Sequence, residues 1–278
     1  MSLFSPSSDW KPREILIDYS SSKYIAVDTE TYDPNLKSNG PGGFKKDGFV
    51  VGISLCDENN RMCYLPIRHQ GGGNLPEELI ISYLKNVLET SKTKVFANAL
   101  YDLEWLSTLG VNTQGSIFDI QVAETLINEN RKSFSLDNIS YDYLREKKDE
   151  TLLEDAVRSM VSARANVKQN LWKLHSSYVG PYAEKDAELT MRVFLMQLPI
   201  LEKEELTKVM KIESRLIPLL LSMRQKGVRV DIEKAAKLRD TLVKKQDQVQ
   251  AELNSIAGQE VNVWANASIA KAYEKENI

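Results

Sequence analysis

Residues 24–27, Tyr-Ile-Ala-Val, form an apolar run that passes without a break into Asp28-Thr29-Glu30. Such a run predicts a buried strand, and strand geometry puts residues i and i+2 on one face, so Asp28 and Glu30 project side by side from its end. A short extended segment over 14–17 precedes it, after an irregular Ser5-Pro6-Ser7-Ser8 start. Behind it, residues 33–48 carry four glycines, two prolines and few apolar positions, which predicts a long loop. Apolar, β-rich runs at 49–56 and 61–67, split by Asp57-Glu58-Asn59-Asn60, predict a hairpin. Pro76 starts a helix on which Leu79, Ile80, Tyr83, Leu84, Val87 and Leu88 recur at helical spacing. Residues 94–97 make a short strand. A helix with Leu100, Leu103, Leu106 and Leu109 along one side follows and stops at Gly110. Ile117-Phe118 is a fifth strand, and Asp119 caps the helix bearing Val122, Leu126 and Ile127. Several shorter helices fill 135–175, and Pro181 opens a long one that reaches about 196.

This order describes an α/β chain with a mixed five-stranded sheet flanked by helices. It suits a ribonuclease H-like arrangement, with the first strand central. Beyond Pro199 the pattern becomes purely helical. One helix over 201–226 has Leu216, Ile217, Leu219, Leu220 and Met223 on its apolar face; Gly227 stops it, and Asp231 caps a second helix over 232–256. That second helix is charged on most faces, so the two make a hairpin with no finished core. The expected division is a domain over 1–200 and a helical segment over 201–278.

Composition narrows the chemistry. Hydrophobic residues make up 42% and charged residues 27%, as in ordinary soluble globular proteins. No apolar run is long enough to span a bilayer, and the polar N-terminus has no signal-peptide pattern, which implies no membrane and a cytoplasmic setting. Two cysteines, Cys56 and Cys63, read as reduced thiols. The two histidines, His69 and His175, argue against His-based metal sites and triads. A net charge of −3 argues against coating nucleic acid by bulk electrostatics, while leaving room for a grip on a few nucleotides through metal ions. Basic clusters at Lys45-Lys46, Arg131-Lys132 and 145–148 read as solvated surface charge.

Two carboxylates as close as Asp28 and Glu30 resist ionising together unless a cation lies between them. Two further motifs supply partners. Asn98-Ala99-Leu100-Tyr101-Asp102 follows directly on the fourth strand, where Asp102 taken alone fits a helix-dipole role. Tyr182 and Asp186 are four apart, so they share a helix face. Asp-x-Glu on a strand, Asn-x-x-x-Asp at a strand-to-helix junction and Tyr-x-x-x-Asp on a later helix occur in that order. In this the sequence resembles the DEDD superfamily of 3′–5′ exonucleases, tyrosine branch, over residues 15–197. Residues 64–69 (Tyr-Leu-Pro-Ile-Arg-His), Asn74, the run Glu213-Ser214-Arg215-Leu216-Ile217-Pro218, and Gly227 to Asp231 narrow the resemblance. They resemble the proofreading domain of bacteriophage family-A DNA polymerases, and residues 262–270 resemble the segment after the thumb helices there.

The resemblance implies two divalent cations, Mg²⁺ or Mn²⁺, held by Asp28, Glu30, Asp102 and Asp186. Asp28 would bridge them, and Tyr182 would orient the attacking water. It implies a single-stranded DNA 3′ end as substrate, with Thr29, Asn98, Tyr101, Tyr32 and Phe134 as candidate contacts, and Phe44 as a further stacking candidate. His69 is expected to belong to a structural hairpin loop. Nothing in the chain supplies a polymerase palm or fingers. The expected partner is therefore the remainder of a polymerase chain or a replication protein, in the host cytoplasm if the chain is phage-encoded. A ribonuclease D-like RNA trimmer shares the carboxylates, and a non-catalytic DNA-binding or partner-binding module shares the fold. The run from Glu213 favours the polymerase alternative over the first, and the intact carboxylate set favours it over the second.

Overall fold

The computed structural model describes residues 7–275; Ser5 and Pro6 lie outside them. The elements are β1 (Tyr24–Tyr32), α1 (Leu36–Asn39), β2 (Phe49–Asp57), β3 (Met62–Pro66), α2 (Glu77–Leu88), β4 (Thr93–Phe96), α3 (Ala99–Thr108), β5 (Ile117–Asp119), α4 (Ile120–Ile127), α5 (Leu136–Leu144), α6 (Thr151–Met160), α7 (Val167–Asn170), α8 (Ser176–Lys203), α9 (Thr207–Lys226), α10 (Ile232–Ala257) and α11 (Asn266–Lys275). The strands form one sheet in the order β3-β2-β1-β4-β5. β1 pairs antiparallel with β2 and parallel with β4, so the strand carrying Asp28 and Glu30 is central and the arrangement is ribonuclease H-like.

Alternation along β1 explains the layers. Ile25 and Val27 point into a core with Leu84, Phe96 and Leu106 from α2, β4 and α3, whereas Ala26 points into a second core with Ala187 and Val193 of α8. Asp28 and Glu30 continue the Ala26 row and so face α8. Across the β1–β2 pair, Glu30 stands opposite Gly52, which stands opposite Pro66 of β3; Asp28 stands opposite Ser54, which stands opposite Tyr64. The missing side chain at Gly52 lets the Tyr64 ring lean in beside Glu30, because a Cβ there would lie 2.2 Å from the Tyr64 hydroxyl. Tyr64 is locked in turn: its hydroxyl donates to His69 Nε2 at 2.8 Å, and His69 Nδ1 donates to the Leu174 carbonyl at 3.1 Å. His69 is therefore a structural loop residue, as expected.

Burial holds the His69 imidazole neutral and lowers its pKa from 6.5 to about 4. The unfolded chain binds that proton more readily, so the contribution of His69 is complete above about pH 6.5 and is lost as pH falls towards 4. The loss is on the order of 3 kcal/mol. Urea unfolding between pH 7 and 4 should show this acid limb, and His69→Gln should flatten it.

Several elements differ from expectation. Residues 14–17 form no strand; Leu16 and Ile17 pack on the first core, and Tyr83 donates to the Ile17 carbonyl at 2.7 Å. α8 begins at Ser176, with the His175 ring accepting from the Ser177 N–H, so Pro181 lies inside the helix. The proline removes the donor for the carbonyl four residues back. Ser8 Oγ donates to that Ser177 carbonyl at 2.7 Å and restores the lost bond from far away in sequence. The compact unit also runs past residue 200. The described residues up to 225 form one unit, because α9 buries Met210 and Ile217, and those from 226 onward form another. In that second unit Ala257 and Val261 are buried, while Leu238, Leu242 and Val243 of α10 are exposed.

Candidate active site

Three elements deliver the carboxylates. β1 presents Asp28 and Glu30, and α8 presents Asp186 one turn beyond Tyr182. One carboxylate oxygen from each of Asp28, Glu30 and Asp186 lies within 4.8 Å of the other two. Asp102, in the first turn of α3, stands beside this trio. Its Oδ1 accepts from the Thr29 N–H at 3.0 Å and from Thr29 Oγ1 at 2.6 Å, which ties α3 to β1. Asp119 sets the entry to α3: its carboxylate accepts from the Asn98 and Ala99 N–H groups at 3.3 and 2.7 Å, and from Gln121 N–H at 2.8 Å. One aspartate thus caps both α3 and α4, and Asn98 can adopt its left-handed φ of 82° with no cap of its own.

Electrostatically the group is strained. Burial and the Asp186 charge push Asp28 up to about 7. Burial and the neighbouring carboxylates raise Glu30, burial and Asp28 raise Asp102, and burial raises Asp186. Burial with Asp186, Glu30 and Asp28 nearby keeps the Tyr182 phenol protonated, far above its usual range. Lys148 is the cation that sequence reasoning missed. Its side chain is only 7% exposed, and its ammonium lies 3.0 Å from Asp186 Oδ1, 3.1 Å from Oδ2 and 3.3 Å from the Tyr182 hydroxyl. A basic cluster over 145–148 gave no signal that one member turns inward.

The residues present fit hard divalent cations. Four carboxylates outnumber the two lysines beside them, Lys148 and Lys168, all the donors are oxygens, and Glu30 Oε1 is buried with no hydrogen-bond partner. An orphaned buried carboxylate oxygen is costly unless something positive meets it.

Two adjoining hollows of about 210 and 750 Å³ open at the trio and share Thr29, Glu30, Tyr101, Lys168 and Tyr182. Of the candidate substrate contacts, Thr29, Asn98 and Tyr101 line them. Tyr101 is fixed through its hydroxyl, which accepts from Thr31 Oγ1 at 2.6 Å and donates to Asp33 Oδ2 at 3.3 Å. Tyr32 and Phe134 line neither hollow. Tyr32 packs on Phe49 and Trp172 at ring distances of 5.2 and 4.8 Å, and Phe134 packs on the second core. Phe44 belongs to a separate hollow with Trp105. Lys37, Lys168 and Arg224 add positive charge to the cleft, and all three went unnoticed in the sequence because they come from distant elements.

Among the described residues no helix is long and apolar enough to cross a membrane. A DNA-directed DNA polymerase of Pseudomonas phage M6 is 34% identical, covering 98% of this chain and 42% of its own length. DNA polymerase I of Borreliella burgdorferi is 25% identical, covering 79% of this chain and 22% of its own length. The chain thus spans less than half the length of these relatives. Among solved structures, Brucella melitensis NrnC with bound Mg²⁺ shares the fold at a TM-score of 0.52 and 18% identity, covering 76% of this chain and 89% of that one. The POL domain of Pol1 from M. smegmatis does so at 0.57 and 15% identity, covering 88% and 35%. The family model for the 3′–5′ exonuclease of A-type DNA polymerases matches residues 6–202, the stretch that holds β1, α3 and the carboxylate end of α8. On that match the chain belongs to the 3′–5′ exonuclease family of A-type DNA polymerases.

Proposed function

We propose that this chain removes nucleotides from the 3′ end of single-stranded DNA by metal-dependent phosphodiester hydrolysis, as the proofreading part of a polymerase. The observation that carries the reading is the convergence of Asp28, Glu30 and Asp186 around a buried, unpartnered Glu30 oxygen. Two divalent cations, when bound, would supply a water of lowered pKa and neutralise the leaving oxyanion. Asp28, Glu30 and Asp186 would hold one ion, and Asp28 with Asp102 the other. Asp102 is already oriented by its two bonds from Thr29. Tyr182, held protonated, donates a hydrogen bond to the attacking water and does not act as base. Glu30 accepts one from the same water. Thr29, Asn98 and Tyr101 meet the terminal nucleotide, and Lys37, Lys168 and Arg224 follow the phosphates.

The DNA substrate is drawn from the phage relative, whose polymerase is longer than this chain. On the same basis residues 201–278 are the helical start of a following polymerase region, and the partner is the remainder of such a polymerase or a replication protein. The site of action would be the host cytoplasm. A 5′-labelled single-stranded DNA oligonucleotide with Mn²⁺ should give a ladder shortening stepwise from its 3′ end, faster than the matching RNA. Internal cleavage, or loss independent of metal, would contradict the proposal; faster loss of RNA would turn it towards RNA trimming.

Tyr182→Phe removes one hydrogen bond and no charge. Its single-turnover rate should fall about 10–100-fold. Its Mn²⁺ affinity, read by titration calorimetry, should stay at the wild-type value.

A further inference from the structure

Lys148 is placed with more precision than a surface lysine needs. α5 ends at Arg145 in a left-handed conformation with φ of 58°. The next residue, Glu146, is clamped: its carbonyl accepts from Ser140 Oγ at 3.2 Å, and its carboxylate accepts from Lys185 at 2.9 Å and Arg192 at 3.0 and 2.7 Å. Lys185 and Arg192 both stand on α8, the helix that carries Asp186. These charge-assisted bonds pull the Glu146 carboxyl down to about 2. The clamp thus fixes the chain two residues before Lys148 to the same helix that Lys148 must reach.

From there the ammonium spans both oxygens of Asp186, at 3.0 and 3.1 Å. Those oxygens belong to the converging trio, so the ammonium and a divalent cation claim the same ligand. Lys148 has other seats within reach: Asp137 Oδ1 at 3.7 Å, the Tyr182 hydroxyl at 3.3 Å and the face of the Tyr182 ring at 4.9 Å. A buried carboxylate cluster with no counter-charge would be unstable on its own. A lysine that can shift its weight from Asp186 towards Asp137 solves this without blocking the ligand permanently.

We infer that Lys148 is a built-in counter-ion of the carboxylate cluster, a positioning residue that holds Asp186 in the metal-free protein and gives it up to a divalent cation. The inference rests on the metal-dependent reading of the site. It predicts a trade: the chain keeps its cluster folded without metal, and binds metal less tightly than the carboxylates alone would allow.

The test uses the full chain and Mn²⁺ alone, with affinity from titration calorimetry and thermal unfolding in EDTA and in saturating Mn²⁺. Lys148→Gln removes the charge while keeping a hydrogen-bond donor for Asp186. It should bind Mn²⁺ at least about tenfold tighter than wild type, because a cation no longer opposes the incoming one. It should melt below wild type in EDTA, and the gap should close in saturating Mn²⁺. Lys148→Arg keeps the charge and should stay within about twofold of wild-type affinity. Unchanged or weaker Mn²⁺ binding in folded Lys148→Gln would overturn the inference while leaving the metal site standing. Asp186→Asn should lose most of its Mn²⁺ affinity; wild-type affinity there would overturn the metal site itself, and the counter-ion role with it.

Discussion

Asp28→Asn is expected to cut exonuclease activity by at least about 10³-fold, on the order of 4 kcal/mol of transition-state stabilisation, while making the metal-free protein more stable. Both effects have one cause. Asp28 is placed by β1 where burial and Asp186 oppose its charge, and its pKa rises from 3.8 to about 7. A carboxylate raised in the folded state favours folding most when protonated. That stability is lost as pH climbs from about 4 through 7. At pH 8 in EDTA the asparagine escapes the penalty, and urea unfolding should show a gain of roughly 1–3 kcal/mol. Saturating Mn²⁺ should reverse the order, because only the aspartate gains from the cation. A site shaped for stability alone would give the opposite result, with Asp28→Asn less stable in EDTA.

Gly52→Ala should be severely damaging for a single added methyl. The added Cβ would sit 2.2 Å from the Tyr64 hydroxyl and 2.4 Å from its Cζ. Neither side can yield easily: Tyr64 is fully buried and held by His69, and Gly52 is locked into ladders on both sides by Glu30 and Pro66. Overpacking of this kind costs about 2–4 kcal/mol and should lower Tm by on the order of 10 °C. Tyr64→Phe in the same background should not restore it, since the ring carbons clash as well. Because Gly52 faces Glu30, the folded fraction should also show weakened Mn²⁺ binding. Differential scanning calorimetry and a metal titration on the same sample check both.

Much of this was legible in the chain. Apolar alternation through residues 24–27 placed β1, and a period of two put Asp28 and Glu30 on one face. The hairpin and the helix behind Asn98 followed from equally local patterns. Helical spacing put Tyr182 and Asp186 on one face, but the pair gained weight only from the order of the three motifs and the family resemblance they carry. What sequence hid were contacts between distant segments. Pro181 looks like a helix start, since proline is favoured there; its tolerance inside α8 depends on Ser8. Lys148 sits in a basic stretch that local charge alone reads as surface, and only the Glu146 clamp reveals its direction. Tyr32 and Phe134 lie near the motifs in sequence, yet nearness along the chain does not say which face an aromatic ring takes. Lys94, in the middle of β4, is fully buried because its ammonium donates to the Lys92 and Gln114 carbonyls at 3.0 and 2.7 Å and also to that of Thr90. Its pKa is lowered to about 8 by burial and by Lys92. Strand patterning carries no sign of such a buried charge.

The decisive property of the cluster is whether its carboxylates hold metal together. Anomalous scattering from crystals of the protein soaked in Mn²⁺ tests that directly. Two peaks are predicted, both in contact with Asp28, one shared with Glu30 and Asp186 and the other on the Asp102 side. Peaks elsewhere on the surface, or none near Asp28 at saturating Mn²⁺, would contradict it.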